Sequence, residues 1–442
     1  MGNKIPIAGR LVLGLLALIA VGTLLFMLPG VGRYGTLTFK QALFTAVSAF
    51  SVTGLSIITP ANDLSLLGQV FLLIMIQLGG VGFMVLVVIT LRAIGRKVTL
   101  VDRLALTNQL GLVTPGAVLS LTWRLLLITI MFELVGAVLL GLHWRALLGP
   151  GRAAFYGLFH AVSAFCNAGF DLFSGLPQFP EGIPNDNVTL LILGSLIFLG
   201  GLGIPVLFEL LNWAPRQRLT LHTRVTLTIV LMLVVLGGVS LFVSEWFREG
   251  LLVGTPLVDA VIQAFFQSIS ARTAGFPGLT QFEQLAPPSQ LIMIVLMFIG
   301  SAPASMGGGI TTGTLAVLLL SLWSYIRGYT STRFSGRSIS PDALQRAAAV
   351  FILSLLVVLL ATWVILITNT YTLDGVLFEV ISAFATCGLS LAMTAKLNNI
   401  GLAVIMLMMI WGRLGALTVV IAMLQRRQPE HVFLPTEQLL IG

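Results

Sequence analysis

One short phrase of this sequence occurs four times. It reads VSAFSVTGL at 47–55, VSAFCNAGF at 162–170, SISARTAGF at 268–276 and ISAFATCGL at 381–389. The copies lie roughly 110 residues apart, which is too long for the ~20–50-residue unit of a solenoid. The interval is long enough for two membrane spans and a loop. Each copy lies between long apolar runs, and four such segments that meet around one axis would form a pore.

The composition indicates whether the chain folds in water or in a lipid bilayer. Hydrophobic residues make up 57% of the chain and charged residues only 9%, whereas a soluble domain has about 25% charged residues. We therefore predict a polytopic membrane protein. The first apolar run, 11–28, is interpreted as a span because no small-residue cleavage site follows it. The cysteines Cys166 and Cys387 both occur within the repeated phrase, and we expect them to be small apolar fillers without a disulfide framework.

The predicted fold is all-α, with four pseudo-repeats of span, pore helix, filter loop and span. The repeats are 1–112, 113–220, 221–342 and 343–442. The eight predicted transmembrane helices are 11–28, 66–94, 119–142, 188–213, 225–246, 291–325, 347–368 and 400–424. Between the spans of each pair lies a pore helix, at 41–50, 153–165, 257–271 and 373–384. These helices are shorter than the ~20 residues that cross a bilayer, so we expect them to be re-entrant around one central, watery pore.

The distribution of charge predicts the orientation. Most Lys and Arg residues, including those at 92–103 and 327–346, flank one set of span ends, while most acidic residues lie on the other side. The positive-inside bias therefore places both termini in the cytoplasm of a multi-pass cell-membrane protein. The basic loops have this topological explanation, and contact with a regulatory partner or anionic lipid is an added role that stays open.

The repeated loops have the chemistry of a cation filter. A cation that leaves water must recover its hydration energy, and a ring of backbone carbonyls supplies it. Glycine permits the required backbone, since it has no β-carbon. The C-terminal end of each pore helix adds about half a negative charge at the same point. The predicted ion-binding residues are Val52, Thr53, Gly54, Asn167, Ala168, Gly169, Thr273, Ala274, Gly275, Thr386, Cys387 and Gly388.

The second span of the third repeat contains a break. As one helix, 291–326 would be ~54 Å long, although the hydrocarbon core is only ~30 Å thick. Its middle, 301–314, reads SAPASMGGGITTGT and cannot remain a straight helix. We expect a movable gate across the pore, and a kink needed only for packing is the alternative. The predicted gate residues are Ser305, Gly307, Gly308, Gly309, Thr311, Thr312 and Arg413.

Arg413 lies within the last predicted span and is the only charge that we expect at the depth of this break. An unpartnered arginine there costs at least ~2.5 kcal/mol, so it should contact the freed carbonyls and hydroxyls of the break. It is either an electrostatic latch or a structural cap of a broken helix. Glu133 and Glu209 are interpreted as helix-contact or cytoplasmic-end residues without a transport role.

These motifs identify a family. SVTGL at 51–55, FCNAGF at 165–170, RTAGF at 272–276, GGG at 307–309 and GRLG at 412–415 resemble those of the Trk/Ktr/HKT superfamily of potassium-uptake proteins. The resemblance is strongest to the KtrB-type membrane subunit, which lacks the extra N-terminal spans of the TrkH branch. It implies potassium uptake as the ion-conducting, channel-like subunit of a Ktr-type system, with potassium bound at the filter carbonyls.

The resemblance also implies partners. KtrB-type subunits form homodimers with one pore per subunit, docked on a cytosolic ring of nucleotide-binding RCK subunits (KtrA-like). This chain departs from the family pattern at Thr311, where the gate usually has lysine, and at Cys387, directly before the fourth filter glycine. Gating and the strictness of selectivity can differ at these positions.

Two other functional classes, a coupled symporter and an enzyme, fit the sequence less well. A sodium- or proton-coupled symporter of the same superfamily needs ion-binding carboxylates in the middle of the membrane, and the pore-facing segments show none convincingly. We predict no enzyme, because the sequence has no G-x-S-x-G, H-E-x-x-H or P-loop and its four histidines are scattered near predicted span ends or in tails. No cofactor and no nucleic acid are expected, and no Rossmann-type nucleotide fingerprint follows a predicted strand.

Overall fold

The computed structural model describes residues 7–81, 118–176, 178–179, 182–213, 218–247 and 250–415. Within these ranges the chain is mainly α-helical, and its sheet is a single two-stranded hairpin. The parts of the predicted spans 66–94 and 400–424 that follow residues 81 and 415 lie outside the described residues, as does the basic stretch 92–103.

In the first repeat, capping residues determine where the pore helix lies. The helices are α1 (Ile7–Phe26), α2 (Phe39–Ser51), α3 (Pro60–Asp63) and α4 (Leu66–Val81). A capping box starts the pore helix α2: Thr38 Oγ1 accepts the Gln41 amide at 3.4 Å, and Gln41 Oε1 accepts the Thr38 amide at 3.1 Å. The helix stops because Val52 adopts a left-handed conformation with φ 56°.

The second repeat has a bend where the sequence predicted one continuous span. Its helices are α5 (Val118–His143), α6 (Arg145–Leu148), α7 (Pro150–Phe165), α8 (Asn187–Gly201) and α9 (Ile204–Leu211). Helices α8 and α9 meet at 105°. Gly203 has φ +84°, and Pro205 occupies the first turn of α9. The Ile204 amide, freed by the bend, donates to the Ala304 carbonyl at 3.1 Å.

The third repeat is interrupted as predicted, with slightly different limits. Its elements are α10 (Leu221–Phe247), α11 (Leu257–Ser270), α12 (Pro287–Phe298), α13 (Thr312–Ile326), β1 (Arg333–Phe334) and β2 (Arg337–Ser338). The non-helical part, residues 299–311, is called the break segment below. It ends earlier than the predicted 301–314, because Thr311 Oγ1 accepts the Thr314 amide at 3.4 Å and so caps α13.

The fourth repeat contains three helices, α14 (Pro341–Thr368), α15 (Leu373–Phe384) and α16 (Asn399–Leu414). Ser340 and Asn398 cap α14 and α16 by accepting the amides of Ala343 at 3.4 Å and Gly401 at 2.8 Å. The pore helix α15 has the limits that the sequence predicts. The pore helices α2, α7 and α11 differ from their predicted limits by one to three residues.

Long apolar helices give the described chain its membrane character. Three are long and apolar enough to cross a bilayer: Leu126–His143, Leu221–Phe247 and Pro341–Thr368; the bent pair α8 and α9 counts as a fourth if it is one span. Large apolar side chains remain exposed along them, such as Val138 at 59% and Leu360 at 60%. An exposed apolar surface of this kind is stable in lipid.

Glycines bring the second helix of a repeat close to its pore helix. A β-carbon on Gly79 would lie 2.5 Å from the carbonyl oxygen of Phe50 in α2. β-carbons on Gly200 and Gly412 would come closer still to the carbonyl of the last phenylalanine in their own pore helices. Such contact through glycine favours helix association in lipid, where packing drives it.

Candidate ion pathway

The four filter loops share one backbone conformation. In each loop, the glycine and the residue two positions before it have positive φ. The glycine values are +91° at Gly54, +66° at Gly169, +75° at Gly275 and +97° at Gly388. The earlier residues are Val52, Asn167, Thr273 and Thr386, with φ of 56°, 57°, 84° and 50°. A positive φ is uncommon for residues with a β-carbon, so its recurrence at one register marks a shared, specific turn.

The four glycines form a closed ring. A β-carbon on Gly54 would lie 2.5 Å from the Ala168 carbonyl oxygen. In the same way each glycine faces the carbonyl of the next loop, and the fourth loop returns to the first. The remaining neighbours are Gly169 with Ala274, Gly275 with Cys387, and Gly388 with Thr53. All these separations are below 3 Å, so a side chain at any of the four positions would displace the neighbouring backbone.

Serines in the pore helices hold the filter amides. In each repeat a serine carbonyl accepts the amide of the residue before the glycine. These bonds join Ser48 to Thr53 at 2.9 Å, Ser163 to Ala168 at 2.7 Å, Ser270 to Ala274 at 2.9 Å and Ser382 to Cys387 at 2.8 Å. The amides are thereby directed at the pore helices and away from the centre of the ring.

The hydroxyls of the same serines make a second bond, in one of two ways. Ser48 and Ser382 accept the glycine amide of their own loop, in both cases at 3.1 Å. Ser163 and Ser270 instead donate to the carbonyl of the residue after the glycine, at 2.7 and 2.6 Å. These serines were not among the predicted filter residues, although Ser48, Ser163 and Ser382 share a register six residues before the glycine.

The filter carbonyls have no partner in the described part of the chain. None of the backbone carbonyl oxygens of the twelve predicted filter residues accepts a hydrogen bond from another described residue. Most of these residues are fully buried, for example Thr53, Ala168, Ala274 and Cys387 at 0% exposure. A buried, unpaired carbonyl is costly, and a dehydrated cation is a partner that satisfies several of them at once.

An open cavity lies on one side of the ring, against the residues that follow the filter glycines. It has a volume of about 500 Å³, and all four filter glycines line it. Its charged lining residues are Asp171 and Glu283, which are both acidic. Asp171 is fixed in place because its carboxylate accepts the amides of Phe173 at 2.8 Å and Ser174 at 2.6 Å. The cavity therefore favours the approach of cations over anions.

Buried polar side chains form hydrogen bonds with the extended chain segments that follow two of the filter glycines. Glu379 Oε1 accepts the Leu391 amide at 3.1 Å, and His160 Nε2 accepts the Leu172 amide at 3.2 Å. Both amides belong to the residue three positions after the filter glycine, and both side chains stand nine positions before it. His160 is fully buried, so the prediction that the histidines lie near span ends or in tails is wrong for this residue. Both residues lie nine positions before a filter glycine, and this shared spacing is the sequence signal that could have identified them.

The break segment packs directly beneath the filter. β-carbons on Gly307 and Gly308 would lie within 3 Å of Thr273 Oγ1 and Thr386 Oγ1, which stand two residues before the glycine in two filter loops. The Gly308 amide also donates to Thr386 Oγ1 at 2.9 Å. Gly309 has φ +78°. The glycine triplet is therefore required for close approach as well as for its backbone conformation.

The other predicted gate residues have mainly local partners. The Ser305 hydroxyl contacts the Ser301 hydroxyl within the segment. Thr311 caps α13, and Thr312 belongs to its first turn, with its amide donating to the Ser301 carbonyl at 3.0 Å. The predicted extension of the break to residue 314 is thus corrected, because a helix with a threonine cap already begins at Thr312.

Arg413 connects the break segment to the first repeat. Its guanidinium donates to the carbonyls of Met306 in the segment and Gly79 in α4, and to Gly80 at 3.3 Å. The predicted contact with freed carbonyls of the break is therefore present. The two α4 carbonyls are partners that the sequence did not indicate. Among the described residues, no carboxylate pairs with Arg413.

Arg272 is a second buried cation at this depth, which corrects the expectation that Arg413 is the only one. It is 6% exposed, and its Nη2 donates to the Gly300 carbonyl at 3.2 Å. Its side chain extends from the third filter loop to the start of the break segment.

Glu133 is buried between helices, as its interpretation as a helix-contact residue predicts. Gln77 Nε2 of α4 donates to Glu133 Oε2 at 3.0 Å, and the Cys166 thiol lies 3.6 Å from Oε1. Both cysteines are free and buried, in agreement with the prediction. The second, Cys387, places its sulfur 3.3 Å from the Ala271 carbonyl at the end of the neighbouring pore helix.

Three known proteins are similar to this chain over almost their whole length. Ktr system potassium uptake protein B of Bacillus subtilis is 34% identical over 418 residues, or 95% of this chain and 93% of that protein. The protein of the same name from Vibrio alginolyticus is 33% identical over 438 residues, covering 98% and 94%. Potassium/sodium uptake protein NtpJ of Enterococcus hirae is 32% identical over 440 residues, covering 97% and 96%.

The fold has a counterpart among solved structures. The crystal structure of the potassium transporter TrkH from Vibrio parahaemolyticus matches 93% of this chain and 83% of its own, with a TM-score of 0.70 at 19% identity. The family model described as TrkH, cation transport protein, matches residues 23–431. That match includes the four filter loops, the break segment and Arg413. By sequence and by fold, this chain is a membrane protein that belongs to the TrkH family of cation transport proteins.

Proposed function

We propose that this chain conducts potassium ions into the cell through the ring of filter loops. The observation that carries the proposal is the closed ring of four glycines, whose loops have amides bonded to the pore helices and carbonyls that lack a protein partner. Carbonyl oxygens in such a ring replace the hydration shell of a cation. Three relatives at 32–34% identity are named for potassium or potassium/sodium uptake.

The proposed architecture is that of the sequence prediction. Four repeats of span, pore helix, filter loop and span contribute eight transmembrane helices around one pore, with both termini in the cytoplasm. The recurring filter geometry supports four repeats, because each loop contributes one glycine and one carbonyl to the ring. The acidic cavity outside the ring would raise the local concentration of cations at the entrance.

We propose that the break segment is the gate. It lies against the inner side of the filter at Thr273 and Thr386, where the Gly308 amide donates to Thr386 Oγ1 at 2.9 Å. Arg413 binds both the segment and α4. Rupture of these bonds would let the segment leave the pathway, and their re-formation would close it.

Regulation is proposed to come from a partner. A homodimer docked on an RCK-type, nucleotide-binding subunit is the arrangement that the family resemblance implies. The hairpin of β1 and β2 supports a cytoplasmic contact, because Arg333 and Arg337 are exposed on it. The isolated chain should then bind neither ATP nor NADH saturably, and calorimetric titration of the purified protein tests this.

Ion flux into liposomes tests the proposed function. Purified chain is reconstituted, and uptake of K⁺, Rb⁺ and Na⁺ is compared with that of empty liposomes. We expect K⁺ and Rb⁺ to enter faster than Na⁺, without a pH gradient or a sodium gradient. No protein-dependent K⁺ uptake would contradict the proposal. A strict requirement for a sodium or proton gradient would favour the coupled symporter of the same superfamily.

A further inference from the structure

The inner end of the filter is in direct contact with the break segment. Thr386 is fully buried and stands two residues before the filter glycine Gly388. Its own amide donates to the Ala383 carbonyl at 3.1 Å, so the backbone at this position is fixed by the pore helix. Its hydroxyl is the acceptor for the Gly308 amide at 2.9 Å. One side chain of the fourth filter loop therefore binds the break segment directly.

A second bond joins the start of the segment to the neighbouring filter loop. Arg272 directly precedes Thr273 and donates to the Gly300 carbonyl at 3.2 Å. The segment is thus attached near its beginning to the third filter loop and near its end to the fourth. Displacement of the segment from the pathway must break or strain both attachments, and so it changes the surroundings of two filter loops.

We infer that Thr386 couples the gate to the filter. With the segment in place, its hydroxyl accepts the Gly308 amide. When the segment leaves, the hydroxyl loses this donor and provides an oxygen ligand for a cation at the inner end of the filter. Opening and ion selectivity therefore depend on the same oxygen atom. This inference rests on the proposed function, since it requires both a conducting filter and a movable segment.

The test uses the full chain in liposomes without any regulatory partner. Thr386→Val keeps the shape of the side chain but removes the acceptor, whereas Thr386→Ser retains it. Thr362→Val is the matched control, because the Thr362 hydroxyl is buried but donates only to Val358 in its own helix, at 2.9 Å. K⁺ flux and the preference for K⁺ over Na⁺ are measured for each variant.

Thr386→Val should raise K⁺ flux about fivefold, the factor expected when one typical hydrogen bond is lost, and should also lower the preference for K⁺ over Na⁺. Thr386→Ser, which keeps the hydroxyl, should lie closer to the wild type than Thr386→Val in both measurements, and Thr362→Val should behave as the wild type. A change in only one property, or in neither, overturns the inference. Wild-type protein that carries no K⁺ overturns the proposed function itself, which separates the two failures.

A second pair of variants tests the contact if Thr386→Val does not fold. A β-carbon in Gly308→Ala would lie 2.7 Å from Thr386 Oγ1 and 2.8 Å from its Cγ2, so it should push the segment from the filter and raise flux. In a Thr386→Ala background most of that collision is absent, and Gly308→Ala should have a smaller effect. Equal effects of Gly308→Ala in the two backgrounds would show that the contact does not control opening and would overturn the inference.

Discussion

The Ser48 hydroxyl accepts the amide of Gly54 at 3.1 Å, and Ser382 makes the same bond to Gly388. These bonds fix two neighbouring loops of the ring, since Gly388 of the fourth loop faces the Thr53 carbonyl of the first. A filter glycine is free to adopt many conformations, so its position depends on the donor and acceptor beside it. The serines are therefore as important for the geometry of the filter as the glycines.

Ser48→Ala or Ser382→Ala is expected to lower the preference for K⁺ over Na⁺ severalfold. Each change leaves the glycine amide without its acceptor, and one lost hydrogen bond is worth about 1 kcal/mol. Competitive uptake of the two ions into liposomes measures the effect. Ser195→Ala is the control, because that hydroxyl is exposed and bonds only to Leu191 in its own helix, at 2.7 Å. Unchanged selectivity in both filter variants would show that the serines do not position the glycines.

Gly54→Ser or Gly388→Ser should reduce selectivity more strongly. The new β-carbon would lie within 3 Å of a carbonyl oxygen in the neighbouring loop, and that oxygen must move. A shift that costs a few kcal/mol changes ion affinity by orders of magnitude. Gly151→Ser is the matched control, since no atom lies within 4 Å of a β-carbon there. If both filter variants select as the wild type does in a flux assay, the filter assignment is wrong.

Arg413→Ala, or deletion of part of residues 305–312, should raise cation flux and weaken its dependence on a regulatory subunit. Arg413 makes two charge-assisted attachments, to Met306 and to Gly79. Each such bond is worth about 1.5–3 kcal/mol, so an increase of about tenfold or more is expected. Arg413→Lys keeps the positive charge. Its single ammonium group cannot reach both carbonyls at once, so the flux of this variant should be intermediate. Unchanged or lower flux in the well-folded alanine and deletion variants would leave the break as a packing kink.

The sequence predicted local features of the fold better than long-range ones. Short stretches of sequence were enough to predict the repeated glycine phrase, the pore-helix limits and the glycine-rich break. The bend between α8 and α9 has a local cause in Gly203 and Pro205, but the partner of the freed Ile204 amide, the Ala304 carbonyl, lies about a hundred residues away. The depth of Arg272 likewise depends on Gly300. Hydropathy and spacing contain no information about such partners, so both features were missed.

Glu133→Ala should lower the free energy of unfolding by about 1–3 kcal/mol, because the amide of Gln77 then loses its buried acceptor. Glu133→Gln retains an oxygen at that position and should be milder. Melting temperatures in detergent compare the two variants. Glu133→Gln should also keep K⁺ flux. Loss of flux in a stable Gln variant would indicate that the carboxylate carries an ion, as in a coupled symporter.

Asp186 should contribute stability that depends on pH. Burial raises its pKa, but hydrogen bonds from the Thr189 amide and hydroxyl and from His143 outweigh burial, and the net pKa is below its ordinary value. The charged form is therefore favoured by folding. Its contribution is complete above the ordinary aspartate value of about 3.9 and is lost as the pH falls through the lower value of the folded state.

The corresponding measurement is acid unfolding of Asp186→Ala and Asp186→Asn. Removal of the N-cap of α8 should cost about 1 kcal/mol at neutral pH, and the difference between wild type and Asp186→Ala should shrink below about pH 4. Asn also caps helices, so Asp186→Asn should remain close to wild type at neutral pH, with a flatter response to acid. A wild-type advantage over Ala that stays constant down to pH 2 would contradict the role of the charged carboxylate.

The ring of Gly54, Gly169, Gly275 and Gly388 is encoded by four separate codons of a single chain. In a pore assembled from four identical subunits, one mutation alters every quarter of the ring at once. Here one mutation alters a single quarter and leaves three intact, so variants with one, two, three or four changed quarters can be made deliberately. Such a series would measure ion preference as a function of the number of altered loops. It would show whether the preference falls gradually or is lost at the first altered carbonyl.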